Sequence, residues 1–221
     1  MALNQLFSDP LPTDPLTVAA DWLADALQRL EQPNPNAMVL ATCDADGQPS
    51  ARVVLCKAIE PVPGLVRFVS NYESRKGREL AANPRAALVM HWDHQHRQLR
   101  IEGRIQRISA TDSDAYFAAR PWASQLGAHA SLQSQPIASR AALESQLAEV
   151  TQRYGATAGA GSEPMHRPAH WGGYVLWAQA VELWMEGDAR IHDRVRWTRD
   201  LQFGAEGQAQ CGQWHSTRLQ P

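Results

Sequence analysis

Residues 37–80 read AMVLATCDADGQPSARVVLCKAIEPVPGLVRFVSNYESRKGREL. The stretch contains three short apolar runs rich in Val and Leu, at 37–43, 50–59 and 64–71, which are divided by an Asp-Gly turn and a PVPG break. Runs of this length between such turns are typical of consecutive antiparallel strands. The stretch therefore predicts an antiparallel sheet around which the rest of the chain is organised.

A helix start follows the third apolar run. Ser74 is a candidate N-cap, and Arg75 and Lys76 fall in the first helical turn. The helix dipole disfavours cations at this end unless an anion meets them, and the free backbone N–H groups there attract phosphate. Arg52 and Lys57 flank the apolar core of the second run in a similar way. The pattern indicates a phosphate site, and a solvated basic helix face is the competing interpretation.

Composition excludes several classes of function. The 221 residues are 44% hydrophobic and 20% charged, as in an ordinary soluble globular protein. No run approaches the ~20 apolar residues of a membrane span, and the N-terminal segment lacks the pattern of a signal peptide, so we expect a cytoplasmic protein with no membrane partner. A net charge of -2 provides no general positive field for nucleic acid. Three widely spaced cysteines without a CxxC favour neither a disulfide framework nor a zinc site.

Helical patterns surround the sheet. Asp14 and Pro15 provide a cap and a first helical residue, and apolar residues then recur at spacings of three and four. The predicted apolar face of this first helix comprises Leu16, Ala19, Trp22, Leu23, Ala26, Leu27 and Leu30. Two short helices are predicted around Arg120-Pro121. A longer helix over 137–154 is expected to bury a stripe formed by Leu143, Leu147, Val150 and Tyr154.

Further strand patterns lie at 86–92, 98–108 and 174–185, and RVRWTR and QWHSTRL form a closing hairpin. The segment that joins the first two of these strands, HWDHQHRQ at 91–98, holds three histidines and an aspartate. A polar hairpin tip explains them better than a metal site, because no fourth ligand is suitably spaced. About seven strands interrupted by helices predict one α+β domain over 13–221 around an antiparallel barrel, preceded by a flexible arm at 1–12.

An ordered set of strings identifies a family. The set comprises RVVLCK, NYESRKGREL, NPRAAL, RQLRIEG, YFAARPWASQLGAHAS, QS at 133–134, WGGY, ELW, RIHDR and the terminal RLQP. In this order, and with similar spacing except in the connector at 155–170, they closely resemble the pyridoxamine 5'-phosphate oxidase family from about residue 13 to the C terminus. The resemblance implies an FMN-binding split β-barrel, antiparallel and Greek-key-like with peripheral helices. It also implies a homodimer with FMN at the interface.

The resemblance also implies site residues. Cofactor-binding residues would be Arg52, Val53, Val54, Leu55, Cys56, Lys57, Val69, Ser70, Arg75, Lys76, Gln98, Gln133, Ser134, Trp184 and Arg194. Substrate-binding residues would be Lys57, Tyr116, Arg120, Ser124, Arg190, Ile191 and His192, with Arg190 and His192 also catalytic. Several fixed donors clamp a phosphate well, and Arg120 and Ser124, one helical turn apart, are expected on the same helix face.

The implied reaction oxidises pyridoxamine 5'-phosphate and pyridoxine 5'-phosphate to pyridoxal 5'-phosphate. O2 is the electron acceptor and yields H2O2, and the amine also releases NH3. No metal is implied, since the organic cofactor carries the redox step.

Two alternatives stay open. An FMN oxidase of the phenazine-biosynthesis type has a similar pattern, with KGREL and a segment 1–12 that contains neither Arg nor Tyr. Lys57 and the complete set of Tyr116, Arg120 and Ser124 favour the vitamin substrate instead. The other alternative is a split-barrel protein that binds flavin or pyridoxal phosphate without catalysis.

Overall fold

The computed structural model describes residues 7, 9–161, 165–205 and 207–221. In these ranges the helices are α1 (Pro15–Arg29), α2 (Arg75–Ala82), α3 (Ala110–Ala118), α4 (Trp122–Ala130) and α5 (Arg140–Tyr154). The strands are β1 (Ala37–Cys43), β2 (Pro49–Leu55), β3 (Ala58–Glu60), β4 (Leu65–Asn71), β5 (Arg85–Trp92), β6 (Arg97–Arg107), β7 (Trp171–Met185), β8 (Asp193–Thr198), β9 (Leu201–Phe203), β10 (Ala209–Cys211) and β11 (His215–Leu219). No helix among the described residues has the length and apolarity needed to cross a membrane.

Nine strands of the described ranges form one sheet, which follows the order β11-β8-β7-β6-β5-β1-β2. β4 joins this sheet by pairing with β7 and also with β3, and β9 and β10 form a separate hairpin. The pairs β1–β2, β1–β5, β5–β6 and β7–β8 are antiparallel, as predicted. The expected number of about seven strands was too low, because the β9–β10 hairpin is inserted between the two halves of the closing hairpin and the predicted strand at 50–59 is divided into β2 and β3.

The chain falls into two compact units. Unit 1 contains the described residues of Met1–Phe68, Asn83–Gln106 and Val175–Pro221, and unit 2 contains Val69–Ala82 and Arg107–Tyr174. Residues 1–6 and 8 of the predicted arm lie outside the described residues. The flexible arm at 1–12 and a single domain over 13–221 stay predictions.

The first helix confirms its predicted start and differs at its end. The Asp14 carboxylate accepts a hydrogen bond from the Leu16 N–H at 3.0 Å, and Pro15 occupies the first helical position. The predicted residues from Leu16 to Ala26 are buried. Leu27 and Leu30 are 45% and 69% exposed, so their predicted burial was wrong. Leu30 takes a left-handed φ of 52° that ends the helix and removes it from the apolar face.

The predicted strand at 50–59 is two strands, so the prediction of one continuous strand was wrong. The Cys56 N–H donates to the Asn36 carbonyl at 2.8 Å, and the Lys57 N–H donates to the Arg67 carbonyl at 2.8 Å. Between these two successive residues, the hydrogen-bond partner of the backbone N–H thus changes from Asn36, just before β1, to Arg67 in β4. Cys56 is 2% exposed at this break, and burial raises the pKa of its thiol to about 12.

The longest helix of unit 2 departs from its predicted burial. Of the expected stripe on α5, Tyr154 is buried, whereas Leu147 is 42% exposed and Leu143 and Val150 are only half-buried. α5 packs on α4, and its C-terminal end is fixed by the Trp122 indole N–H, which donates to the Gly155 carbonyl at 2.9 Å. Burial is therefore concentrated at this end of the helix.

Close packing at Gly103 of β6 yields a first testable prediction. A Cβ at this position would overlap the backbone carbonyl of Trp177 in β7, whereas one at Gly127 in α4 would meet nothing within 4 Å. Gly103→Ala should lower the free energy of unfolding by about 2 kcal/mol through overpacking. Gly127→Ala, the matched control, should raise it by about 0.5 kcal/mol through helix propensity. Urea unfolding measures both values, and equal stability of the two variants would contradict the packing described.

Candidate functional site

A buried lysine lies at the start of α2 in unit 2. Ser74 caps the helix as predicted, because its Oγ accepts a hydrogen bond from the Gly77 N–H at 3.3 Å. The Lys76 side chain is 8% exposed, and its Nζ donates to Ser74 Oγ at 3.0 Å and to Gln133 Oε1 at 2.8 Å. Two predicted cofactor residues that are 57 positions apart in sequence, Lys76 and Gln133, are therefore in contact.

The other predicted residues near this helix differ in exposure. Ser70 is buried near the end of β4 and Val69 is half-buried. Arg75 is exposed and forms an ion pair with Glu79 of the same helix at 2.8 Å. Ser134 is exposed and has a left-handed φ of 71°. Arg75 thus lies on a solvated helix face, as the competing interpretation predicted, whereas Lys76 is buried among polar groups.

A cavity of about 380 Å³ lies in the same unit, beside Gln133. Its volume is within the range of small-molecule sites. The residues that line it are Asn71, Glu73, Leu132, Gln133, Gln135 and Pro136. Since Gln133 both lines the cavity and accepts a hydrogen bond from Lys76, the lysine is one side chain away from this space.

A second cluster of predicted residues lies around Trp171, also in unit 2. The Arg120 guanidinium carbon is 4.5 Å from the Trp171 ring centroid, and the Tyr116 ring stacks on the same indole at 6.2 Å. Arg120 Nη1 is buried and has no hydrogen-bond partner among the described residues. Burial also lowers the pKa of Arg120 below its usual value, although arginine stays charged at neutral pH. An anion would satisfy this donor.

Ser124 is placed differently from our expectation. α3 ends at Ala118 and α4 begins at Trp122, so Arg120 lies in the link and does not share a helix face with Ser124. Pro121 explains the break, because proline disfavours the helical conformation in the residue before it. The predicted common helix face was therefore wrong. Ser124 lies instead in the first turn of α4 and is half-buried.

A third cluster lies on β7 and β8 in unit 1. Arg194 donates to Glu182 Oε1 from Nη2 at 2.8 Å and from Nε at 3.1 Å, and Arg100 donates to Glu182 Oε2 at 3.2 Å. Glu182 is 5% exposed. The rings of Trp184 and His192 are in contact, with centroids 4.7 Å apart. The Glu182 carboxylate thus anchors Arg194 beside Arg100. Trp184 is the strand partner of Arg194 and contacts His192, so three predicted residues lie close together.

The turn between β7 and β8 is strained. Ala189 and Arg190 have left-handed φ angles of 53° and 67°, which are unfavourable for residues other than glycine. The Gly187 N–H donates to His192 Nδ1 at 3.3 Å and bridges the turn. Arg190 and Ile191 are exposed, and among the described residues Arg190 makes no side-chain hydrogen bond or ion pair. The guanidinium is available to a ligand.

The predicted residues of β2 and its neighbours lie at a sheet edge in unit 1. The Arg52 guanidinium donates to the Leu40 carbonyl at 3.1 Å, to Thr42 Oγ1 at 2.5 Å and to Ser50 Oγ, so its own sheet occupies several of its donors. The remaining predicted residues here lie on the exposed or half-buried side of the strands, apart from the buried Cys56. They are Val53 at 64% exposure, Leu55 at 39%, half-buried Val54 and exposed Lys57, whereas half-buried Gln98 lies on the inner strand β6.

Among the residues of these clusters that had no role assigned from sequence are Trp171 and Glu182. Trp171 belongs to the WGGY string and Glu182 to the ELW string. Glu182 could have been suspected, because a carboxylate in a long apolar strand requires a partner. The contact of Trp171 with α3 has no local signal, since 51 positions separate it from Arg120.

Family models match most of the chain. Residues 23–154 match the model described as pyridoxamine 5'-phosphate oxidase, and residues 171–221 match that of the pyridoxine 5'-phosphate oxidase C-terminal dimerisation region. Two similar relatives are both named pyridoxine/pyridoxamine 5'-phosphate oxidase. The one from Janthinobacterium sp. (strain Marseille) is 44% identical over 219 residues, 99% of this chain and 93% of the relative. The one from Burkholderia vietnamiensis (strain G4 / LMG 22486) is 47% identical over 208 residues, 94% and 89% of the two chains.

Solved structures show the same fold. PhzG from Burkholderia lata 383, in complex with tetrahydrophenazine-1-carboxylic acid, has a TM-score of 0.82 and 30% identity, with 100% of both chains covered. A pyridoxamine 5'-phosphate oxidase-related, FMN binding protein from Nostoc punctiforme PCC 73102 has a TM-score of 0.69 at 16% identity, over 96% of this chain and 100% of that chain. The predicted class, an α+β split-barrel protein with an antiparallel sheet and peripheral helices, is confirmed. The chain belongs to the pyridoxamine 5'-phosphate oxidase family, as its motifs predicted.

The buried carboxylate of Glu182 yields a second prediction. Glu182→Ala leaves Arg100 and Arg194 without their shared acceptor and should lower the free energy of unfolding by about 2 kcal/mol. Glu144→Ala is the control, because Glu144 forms an exposed ion pair with Arg140 on α5. That variant should lose less than about 0.5 kcal/mol. Urea unfolding compares the two, and a similar loss in both would refute the anchoring role of Glu182.

Proposed function

We propose that the protein is an FMN-dependent oxidase that converts pyridoxamine 5'-phosphate and pyridoxine 5'-phosphate to pyridoxal 5'-phosphate. O2 accepts the electrons and becomes H2O2, and the amine substrate also releases NH3. The observation that carries the proposal is the buried Nη1 of Arg120, a cationic donor without a partner among the described residues, beside Tyr116. This arrangement suits the phosphate of a substrate. The names of relatives at 44% and 47% identity support the oxidase assignment.

FMN is the cofactor. The donors at the start of α2 fit its phosphate, because Lys76 is a buried cation, Ser70 and Ser74 are buried hydroxyl residues, and the helix N-terminus is positive. Gln133, in contact with Lys76, adds an amide to the same set. Arg52, Arg75 and Ser134 complete the phosphate contacts in this proposal. The ring of FMN is assigned to Val53, Val54, Leu55, Cys56, Lys57, Val69, Gln98, Trp184 and Arg194.

FMN supplies the hydride acceptor and the route for electrons to O2. The protein binds the substrate phosphate through Lys57, Tyr116, Arg120 and Ser124, and fixing this end orients the C4' carbon for oxidation. Arg190, Ile191 and His192 hold the pyridine ring. Since His192 Nδ1 accepts a hydrogen bond from the Gly187 N–H, the neutral imidazole carries its proton on Nε2 and offers that atom as a donor.

The proposed assembly is a homodimer. It is supported by the match of residues 171–221 to a dimerisation region. It is also supported by an apolar face on the edge of the unit 1 sheet. There Val39 of β1 is paired with Val53 of β2, and these two side chains and Leu55 are 41%, 64% and 39% exposed.

The activity test is direct. Pyridoxamine 5'-phosphate is added to the aerobic FMN-loaded protein, and pyridoxal 5'-phosphate absorbance and H2O2 are measured. Arg190→Ala should retain FMN and lower turnover at least about 100-fold, because positioning and proton-transfer groups typically contribute factors of that size. Loss of the yellow colour from this variant would count against the assignment of Arg190. A yellow parent protein that forms neither product would be a binding protein without catalysis.

Lys76 provides a test of the FMN phosphate site. Lys76→Ala should weaken FMN binding by about tenfold, because it removes a buried charge-assisted donor. Arg78→Ala is the control, since Arg78 lies on the exposed side of the same helix and donates to the Glu73 carbonyl. Fluorescence titration of the apoprotein with FMN measures both. Equal affinities of the two variants would remove Lys76 from the phosphate site.

A second candidate function is oxidation of a phenazine precursor. The similarity to PhzG over the full length of both chains favours it. The same aerobic assay with tetrahydrophenazine-1-carboxylic acid in place of the vitamer separates the two functions. Faster oxidation of the phenazine compound than of pyridoxamine 5'-phosphate would select this candidate.

A further inference from the structure

Trp171 is held rigidly at the start of β7. It is 6% exposed, and its N–H donates to the Pro168 carbonyl at 3.0 Å. Its carbonyl accepts from Arg167 Nη1 at 2.6 Å, and Arg167 Nε donates to Asp114 Oδ1 of α3 at 2.6 Å. The backbone of Trp171 is therefore fixed relative to the helix that carries Tyr116.

The indole of Trp171 contacts three side chains of one segment. Arg120 lies over the ring at 4.5 Å, Tyr116 stacks on it at 6.2 Å with an interplanar angle of 21°, and Phe117 meets it edge-on at 5.3 Å. Arg120 and Tyr116 are the two long side chains to which the substrate phosphate is assigned in unit 2. The Trp171 ring thus contacts both, and Arg120 also lies over the Phe117 ring at the longer distance of 5.7 Å.

Stacking has a consequence for the donors of Arg120. A guanidinium that lies over an aromatic ring interacts through its face, and its N–H groups in the plane remain directed outward. Nη1 is one of these groups, and it is buried without a partner among the described residues. A buried donor of this kind is costly until an acceptor meets it, which favours an anion at this position.

The backbone on the other side of Arg120 is fixed as well. Gln125, which is buried, donates from Nε2 to the Arg120 carbonyl at 2.8 Å and to the Ala118 carbonyl at 3.3 Å. These bonds hold the link between α3 and α4 in place. The guanidinium orientation therefore depends on the aromatic rings beside it, of which Trp171 at 4.5 Å is nearer than Phe117 at 5.7 Å.

We propose that Trp171 is a positioning residue for the substrate phosphate, because its indole aligns Arg120 and Tyr116 and so favours phosphorylated over unphosphorylated vitamers. This inference rests on the proposed function, which assigns the phosphate to these two residues. Trp171 acts through them and does not itself contact the reacting atoms.

The test compares Trp171→Leu and Trp171→Phe with Trp122→Phe. The control removes an indole of the same unit that donates to the Gly155 carbonyl. For Trp171→Leu we expect the KM for pyridoxamine 5'-phosphate to rise about tenfold through loss of a desolvated cation–π contact, with kcat changed less than about twofold. The kcat/KM for pyridoxamine, which has no phosphate, should stay at the parent value. Trp171→Phe keeps an aromatic face and should show a smaller rise in KM.

A double-mutant cycle separates positioning from general destabilisation. In the Arg120→Ala background, Trp171→Leu should raise KM by less than about twofold, because the charged partner of the indole is already absent and only its contact with Tyr116 remains. The same rise in both backgrounds, or an equal loss of kcat/KM for pyridoxamine, would overturn the proposal. If Trp171→Leu does not fold, Trp171→Phe in the two backgrounds provides the same comparison.

Direct binding distinguishes failure of this inference from failure of the proposed function. If the parent protein oxidises neither vitamer, the function is wrong, and calorimetric titration of the FMN-loaded protein with pyridoxal 5'-phosphate still tests Trp171. Weaker binding by Trp171→Leu than by Trp122→Phe supports the positioning role. Equal affinity of these two variants for pyridoxal 5'-phosphate would refute the positioning role of Trp171.

Discussion

The exchange of hydrogen-bond partners at Cys56 and Lys57 is the constraint on which the arrangement of the chain depends. One backbone N–H is paired beside β1 and the next is paired with β4. The exchange thus links the β1–β2 ladder to β4, the strand after which Ser74 and Lys76 follow in sequence. A buried thiol at this point, with its pKa raised to about 12, adds no charge that would compete with the backbone bonds.

Local sequence signals correctly predicted the helix starts and strands whose formation depends on only a few neighbouring residues. The Asp14 and Ser74 caps were confirmed, as was the strand pattern at 98–108, in which Leu99, Ile101 and Ile105 are buried. The break after Leu55 was missed, since it depends on Arg67 and Asn36 rather than on the residues at the break. Hydrophobic periodicity likewise could not tell which turns of α5 have something to pack against.

The candidate site shows the same difference between what local sequence signals predict and what depends on distant contacts. Motif order predicted the site residues, but the partners that orient them come from distant positions. Glu182 anchors Arg194 and Arg100 across neighbouring strands, and Trp171 stacks on Arg120 from a strand beyond α5. Such contacts have no periodic signature, so sequence reasoning assigned the ligands and omitted their supports.

Arginine and lysine have different tasks in this chain. Of 21 Lys and Arg residues only Lys57 and Lys76 are lysines. Several arginines lie over aromatic rings, such as Arg107 over Tyr72 at 4.0 Å and Arg199 over Trp214 at 4.2 Å. A planar, weakly hydrated guanidinium tolerates this environment, whereas an ammonium group requires a compact polar shell like the one that surrounds Lys76.

The turn between β7 and β8 limits how this protein can evolve. Two successive left-handed residues, Ala189 and Arg190, occupy conformations that a branched Cβ makes prohibitive. Valine, isoleucine and threonine are therefore strongly disfavoured at both positions. Substitutions at this tip are therefore restricted mainly to unbranched side chains, which leaves natural variation a narrow set of routes.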